Sequence, residues 1–306
     1  MSNFKKMKSK IVLIFVLSFS FAFAETGAKV GFSFLKIGVD ARAAAMGDAF
    51  SSLSQNASAT YWNPAGLSLS ESNSLVLMHN NWLQDITHEF AAIQLLQGKH
   101  NIALSLNFLN VSGIEIRGNR ASELPDGKTS ANFVAIGLGY ANTIMENWNA
   151  GIHIKYLYEK YYLRSANGFA FDFGIMRKNL VAGVNWGMSI QNIGKMGKLE
   201  NESTPLPLLI RSGISYNIPL SFLQNGLLTS VDLMYVFEDV FRVNMGVEGR
   251  VFNGLDLRAG YIAGSESYDF TAGFGIVFGK YNLSYAFVPF SYDLGSSHRF
   301  SVLFKF

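Results

Sequence analysis

One pattern dominates the chain from about residue 74 to its end: apolar side chains recur at every second position. That period belongs to extended strands with one apolar face, because successive strand side chains point to opposite sides. In residues 151–158, Ile152, Ile154, Tyr156 and Tyr158 share one face, and His153, Lys155 and Leu157 share the other. Ile102, Leu104, Leu106 and Phe108 alternate in the same way with Ala103, Ser105 and Asn107. About fourteen segments follow this rule, near 74–82, 87–97, 100–112, 130–142, 148–163, 168–177, 181–191, 208–217, 227–237, 242–252, 255–262, 269–278, 281–289 and 298–306. Each is roughly the 9–11 residues that a tilted strand needs to cross a bilayer, about twice the usual soluble strand.

The connections alternate in length. Residues 98–99, 178–180, 253–254 and 279–280 read as tight turns, and 113–129, 192–207 and 290–297 as long loops. With both barrel ends in the periplasm, the long loops fall outside, as in outer-membrane barrels. The connection 218–226 is longer than its inner position predicts. Trp82, Trp148, Tyr161, Tyr162, Tyr261 and Tyr281 stand at segment ends, where interfacial aromatic girdles form. The polar face carries Lys155, Asp172, Arg211, Asp232, Glu248, Arg250, Asp256 and Arg258, which a lumen tolerates and lipid does not. Glycines on that face make room in a crowded interior. The last segment ends at Phe306, like the signal read by the barrel insertion machinery.

The chain head carries Lys5, Lys6, Lys8 and Lys10, then an apolar run from Ile11, then Ala22-Phe23-Ala24. This is the layout of a cleaved export signal over residues 1–24, with an apolar core too short to span a bilayer as a helix. Removing it takes four of the 25 basic side chains and none of the 22 acidic ones, leaving a net charge of −1. The basicity therefore belongs to the export signal, and no case for nucleic-acid binding remains. With 26 Phe, 13 Tyr and 29 Gly, the chain is too apolar for a disordered protein. The absence of Cys excludes disulfides and thiolate metal sites.

Residues 25–73 do not alternate. Asp40 to Phe50 has the composition of a short helix ended at Gly47, and Pro64 biases Asn63 away from helical geometry. Such a segment ahead of a barrel can occupy its lumen as a plug. Phe34 to Phe50, reading FLKIGVDARAAAMGDAF, followed by Tyr61 to Leu67, reading YWNPAGL, resembles the PorV/PorQ family of outer-membrane proteins within the wider FadL-like barrels. The resemblance implies a fourteen-stranded barrel with an N-terminal hatch. FadL-like members pass hydrophobic molecules such as long-chain fatty acids through the hatch region and a gap in the wall. PorV/PorQ members serve type IX secretion, associating with cargo proteins or the surface-attachment machinery.

The resulting expectation is an all-β, transmembrane antiparallel β-barrel in the bacterial outer membrane. It comprises the signal 1–24, a hatch 25–73 containing a short helix, and a barrel 74–306. The hatch motif is Arg42, Gly47, Asn63, Pro64, Ala65 and Gly66, with Asn63 to Gly66 folding the hatch back before the first strand. Arg42, amid alanines, needs carboxylate or carbonyl partners, and Asp232, Glu248 and Asp256 are the candidates. The lumen charges serve either function or ion pairs that hold the plug. His79, His88, His100, His153 and His298 form no metal-binding spacing and read as loop or lumen residues, so no metal or cofactor is expected. No G-x-S-x-G marks a catalytic serine, and no enzyme is expected. The expected partners are outer-membrane lipid, the insertion machinery, and either a secretion partner protein or a hydrophobic ligand.

Overall fold

A computed structural model describes residues 31–84, 86–119, 123–237 and 239–306. The export-signal reading over residues 1–24 lies outside the described residues. Fourteen strands close into one antiparallel barrel in which each strand pairs with its sequence neighbours and the first with the last. They are β1 (Ser74–Asn81), β2 (Ile86–Gln97), β3 (His100–Ile116), β4 (Gly127–Met145), β5 (Trp148–Tyr161), β6 (Arg164–Val181), β7 (Val184–Met196), β8 (Leu209–Ile218), β9 (Leu227–Val236), β10 (Phe241–Phe252), β11 (Leu255–Ala263), β12 (Phe270–Phe278), β13 (Tyr281–Pro289) and β14 (Ser296–Lys305). Closure joins Ser74 to Lys305 and Asn81 to His298, which removes the free sheet edges. Phe306 follows the last strand, and its amide donates to the Asn73 carbonyl at 3.1 Å.

The alternation sets the two faces. Leu104, Leu106, Ile136 and Leu138 are exposed on the outer wall, while Ala103, Ser105, Asn107 and Ala135 are buried inside. All eight lumen charges read from the sequence face inward on their strands. Most short turns gather at one end, the periplasmic end of such barrels, and most longer loops at the other; residues 219–226 are a long connection at the short-turn end and residues 162–163 a tight turn at the opposite one.

Three details differ from the sequence reading. β6 runs through the expected turn at 178–180, and the reversal comes at Ala182 and Gly183, with φ of 48° and 87°. Two consecutive positive φ angles match the twist of a two-residue hairpin. Strands β3 to β7 are longer than 9–11 residues, at 17, 19, 14, 18 and 13, so the flanks of the expected loop 113–129 are strand. Trp82 is not a girdle residue. It packs over the lumen mouth against Phe290 and Tyr268, with ring centroids 4.9 and 6.4 Å away, beneath the Arg299 guanidinium at 5.2 Å.

Residues 31–73 fill the barrel. They comprise a 3₁₀ turn (Ser33–Lys36), two one-turn helices (Ala41–Ala45 and Ala59–Trp62) and a second 3₁₀ helix (Pro64–Leu69). Asp40 caps the first helix, its carboxylate accepting from the Arg42 amide. Gly47, at φ +63°, ends the turn that follows, and a Cβ there would lie 2.8 Å from the Met245 carbonyl.

Ile154 points outward from mid-wall and is 40% exposed. Ile154→Arg is expected to lower the free energy of folding into lipid vesicles by about 2–4 kcal/mol, read by urea titration. An unchanged midpoint would place this face outside the bilayer.

Candidate functional site

The chemistry-bearing residues meet where the hatch rests on the lumen wall. Glycines prepare the surface. A Cβ on Gly174 would lie 2.1 Å from Asn63 Oδ1, one on Gly151 2.4 Å from the Pro64 carbonyl carbon, and one on Gly187 2.3 Å from the Ser51 carbonyl oxygen. Gly246 and Gly260 leave the same room for Met46 and Gly47. No side chain longer than hydrogen fits between wall and plug at these points.

The Asn-Pro stretch is not the simple turn expected from the sequence. Asn63 is extended, at φ −164° and ψ 105°, and joins two helical turns. Pro64 explains both halves: it disfavours helical geometry at the preceding residue and suits the first position of the next helix. Asn63 is fully buried and uses its whole amide. Oδ1 accepts from the Ala65 amide at 3.1 Å, and Nδ2 donates to the carbonyls of Ser51 at 3.1 Å and Ile175 at 3.2 Å. Ala65 is buried against β5 and β6, and a Cβ on Gly66 would lie 2.0 Å from the Ser54 carbonyl oxygen.

Arg42 reaches Glu248 through two parallel bonds, Nε to Oε2 and Nη2 to Oε1, both 2.7 Å. Burial opposes its charge, but Glu248 more than offsets this, so its pKa lies above the ordinary arginine value. The chain of charges continues along the wall. Arg258 Nε donates to Glu248 at 2.6 Å and Arg258 Nη2 to Asp256 at 3.5 Å, while Arg250 forks onto Asp256 at 2.6 and 2.9 Å. Asp232 does not pair with Arg42. Its Oδ2 takes the amides of Phe50 and Ser51 at 2.9 and 2.7 Å. Arg211 lies over the rings of Trp62 and Tyr61, at 4.8 and 5.7 Å.

Lys155 and Asp172 belong to a second network that the sequence did not signal. Ser105 Oγ is 2.9 Å from His153 Nε2, and His153 Nδ1 is 3.1 Å from Asp172 Oδ2. Asp172 Oδ1 also takes Lys155 Nζ at 2.7 Å and the Asn192 amide at 2.7 Å. Two local features build it. Gly137 lacks the Cβ that would sit 2.0 Å from His153 Nε2, so the imidazole crosses β4 to reach β3. A bulge in β7, with Asn192 at φ 66°, turns both Gln191 and Asn192 inward opposite Asp172. Partners 19 and 48 residues apart on different strands leave no spacing motif to find. The cavity beside this network is about 20 Å³, room for about one water. His88 is also in the lumen, but His79 and His298 face outward, on Glu89 at 2.6 Å and the Tyr285 hydroxyl at 2.8 Å.

The family model described as type IX secretion system protein PorV matches residues 24–181, more than half of the chain. The chain belongs to this family. No curated protein matches it. Its fold is that of FadL-like barrels. The toluene transporter TbuX of Ralstonia pickettii superimposes with a TM-score of 0.62 at 12% identity, over 88% of this chain and 98% of that one. The Pseudomonas putida toluene transporter TodX gives 0.60 at 13%, over 87% and 96%. A Pseudomonas aeruginosa FadL homologue gives 0.56 at 9%, over 88% and 98%. Family and fold together make the chain an outer-membrane barrel. In this PorV-family chain the matched region holds the whole described hatch and the strands β3 to β6 of the tall side.

Two substitutions separate wall from hatch. Gly174→Ala is expected to displace Asn63 and raise hydrogen exchange across residues 40–70 while the barrel still forms. Arg42→Ala is expected to weaken hatch docking by about 1.5–3 kcal/mol, the range for hydrogen bonds to a charged group. Unchanged exchange in both would mean that neither contact holds the hatch.

Proposed function

We propose that this PorV-family barrel is a non-enzymatic accessory of type IX-like protein secretion or surface attachment, exported by its N-terminal signal. The observation that carries this reading is a sealed barrel. The void between the hatch and the His153 network is about 20 Å³, and the registers of β1 with β2, and of β2 with β3 through Val111, run without a shift. Among the described residues, a hydrophobic molecule finds no path past the His153 network and no register gap between β1, β2 and β3. The outer rim exposes apolar side chains on the β5–β6 turn and the β13–β14 loop: Tyr162, Leu163 and Tyr292 are 53%, 78% and 81% exposed. Apolar residues standing clear of the barrel at its outer end suit a protein partner. The Ser105–His153–Asp172 row has hydrolase-like spacing, but Leu35 and Tyr61 of the hatch cover it and leave no room for a substrate.

A hydrophobic-molecule transporter is the second reading. A groove of about 360 Å³ on the outer wall, lined by Leu77, Ala91, Leu106, Phe300 and Val302, favours it. Inward-facing Met78 and Phe90 line the floor of that groove, so entry would require the wall or hatch to move.

The deciding experiment is purification from detergent-solubilised outer membrane with mass spectrometry of proteins and lipids. A secreted or surface-attached protein should copurify, and Leu163→Asp with Tyr292→Asp should reduce its recovery several-fold. Recovery of only a hydrophobic ligand, with oleate uptake into proteoliposomes above that of empty vesicles, would sink the secretion reading and favour the transporter.

A further inference from the structure

The end of the lumen that carries the short turns holds a recess that neither the family nor the hatch explains. It has a volume of about 290 Å³ and lies directly below the Arg42–Glu248 pair. Four cations line it, Arg42, Arg250, Lys280 and Lys305, against two carboxylates, Glu248 and Asp256. The carboxylates are already committed. Glu248 is held by Arg42 and Arg258, and Asp256 by Arg250 and Arg258. Lys280 and Lys305 have no ion pair among the described residues. They are held side by side, because the Lys305 amide donates to the Lys280 carbonyl at 2.9 Å where β14 meets the β12–β13 turn.

Like charges gathered around a partly enclosed space repel one another, and their anchored backbones keep all four stems rooted at its edge. An anion with several oxygens relieves that repulsion and takes the free donors. The guanidinium of Arg42 spends Nε and Nη2 on Glu248, which leaves Nη1 without a hydrogen-bond partner among the described residues. Its side chain keeps 26% of its surface exposed, and that of Arg250 keeps 27%. Guanidinium beside ammonium is the donor set that carboxylate and phosphate groups fit. A ligand of this size is a small oxyanion or the carboxylate end of a longer chain, with its hydration.

We propose that this recess, opening to the periplasm, is an oxyanion-binding site, with Lys280 and Lys305 as its entry and Arg42 and Arg250 as its floor. It follows from the lumen electrostatics and stands whichever transport or secretion reading holds.

The test is calorimetric titration of inorganic phosphate into the full-length barrel in non-ionic detergent at low salt. Saturable one-to-one binding is expected. It should weaken about tenfold or more in the Lys280→Gln/Lys305→Gln double variant. The matched double variant Lys99→Gln/Lys178→Gln removes two lysines elsewhere and should bind as the parent does. Heat-modifiable migration of each variant reports whether the barrel formed. Competition by a short peptide with a free C-terminal carboxylate, but not by its amide, would identify a chain end as the natural source. Phosphate binding without that competition would point to a free anion. No saturable binding, or equal weakening in the two double variants, would overturn the proposal.

Discussion

A closed sheet consumes its own main-chain hydrogen bonds, and a plug inside it does not. This is the constraint on which the structure turns. The hatch is built from turns only four to six residues long, so most of its amides and carbonyls have no helical partner. Inside a barrel they have little water either. The wall supplies what is missing through inward side chains, one hatch group at a time. Ser301 takes the Ala41 amide at 2.7 Å, Thr271 takes the Gly47 amide at 3.0 Å and gives to the Ala45 carbonyl at 3.1 Å, and Asp232 takes Phe50 and Ser51. Gln94 gives to the Leu67 carbonyl at 2.6 Å, Ser189 to Trp62 at 3.1 Å, and Arg299 to Gly38 at 2.8 Å. Gln191 gives to the Tyr61 and Trp62 carbonyls. The polar lumen is the complement of an irregular backbone.

The lumen charges then divide into two kinds. Asp232, Arg211 and Arg299 touch the hatch through main-chain groups or ring faces, where one wall side chain meets one or two fixed features. Arg42, Glu248, Arg258, Asp256 and Arg250 form a continuous chain in which each carboxylate serves two guanidiniums. In the first kind, losing a wall residue strands a buried hatch group. In the second, a neighbouring cation still faces each acid when one partner is lost. The alternation of sign along β10 and β11 also sets like charges apart: Glu248 faces Arg258 and Arg250 faces Asp256 across the ladder.

The barrel was legible because a two-residue period survives any tertiary detail. Ile152 to Tyr158 alternates whether its neighbours are known or not, and so do the residues around Ser105. The hatch was legible only as a break in that rhythm, with Gly47 and Pro64 marking where its backbone turns. Which lumen acid Arg42 meets was left open among three, because sequence separation says nothing about height within a lumen. The His153 network was invisible for the same reason. It depends on Gly137 lacking a side chain on the strand between, and on a bulge at Asn192 that turns consecutive residues to one side. A bulge breaks the very period by which strands are recognised, so β7 read short and its inward pair went unnoticed. Trp82 misled differently: an aromatic at a strand end suits a girdle and a lumen lid equally, and only the positions of Tyr268 and Phe290 decide.

The way the hatch is held bears on what could move it. Nine main-chain groups are anchored individually, and each neutral bond contributes about 1 kcal/mol net. Added to these are the fork at Arg42 and the burial of Phe50 and Trp62, both fully enclosed. Such anchors act together, because the hatch sits on β4 to β7 and on β10 to β14 at once and cannot leave one group without lifting off the other. A ligand displaces a plug only by as much as it favours the open state over the closed one. Micromolar affinity for the open state alone corresponds to about 8 kcal/mol, and a small apolar molecule spends part of that entering the wall. A protein docking on the exposed rim faces no such limit. It can act on the closed barrel as it stands, using Leu163 and Tyr292 without disturbing a single bond beneath them.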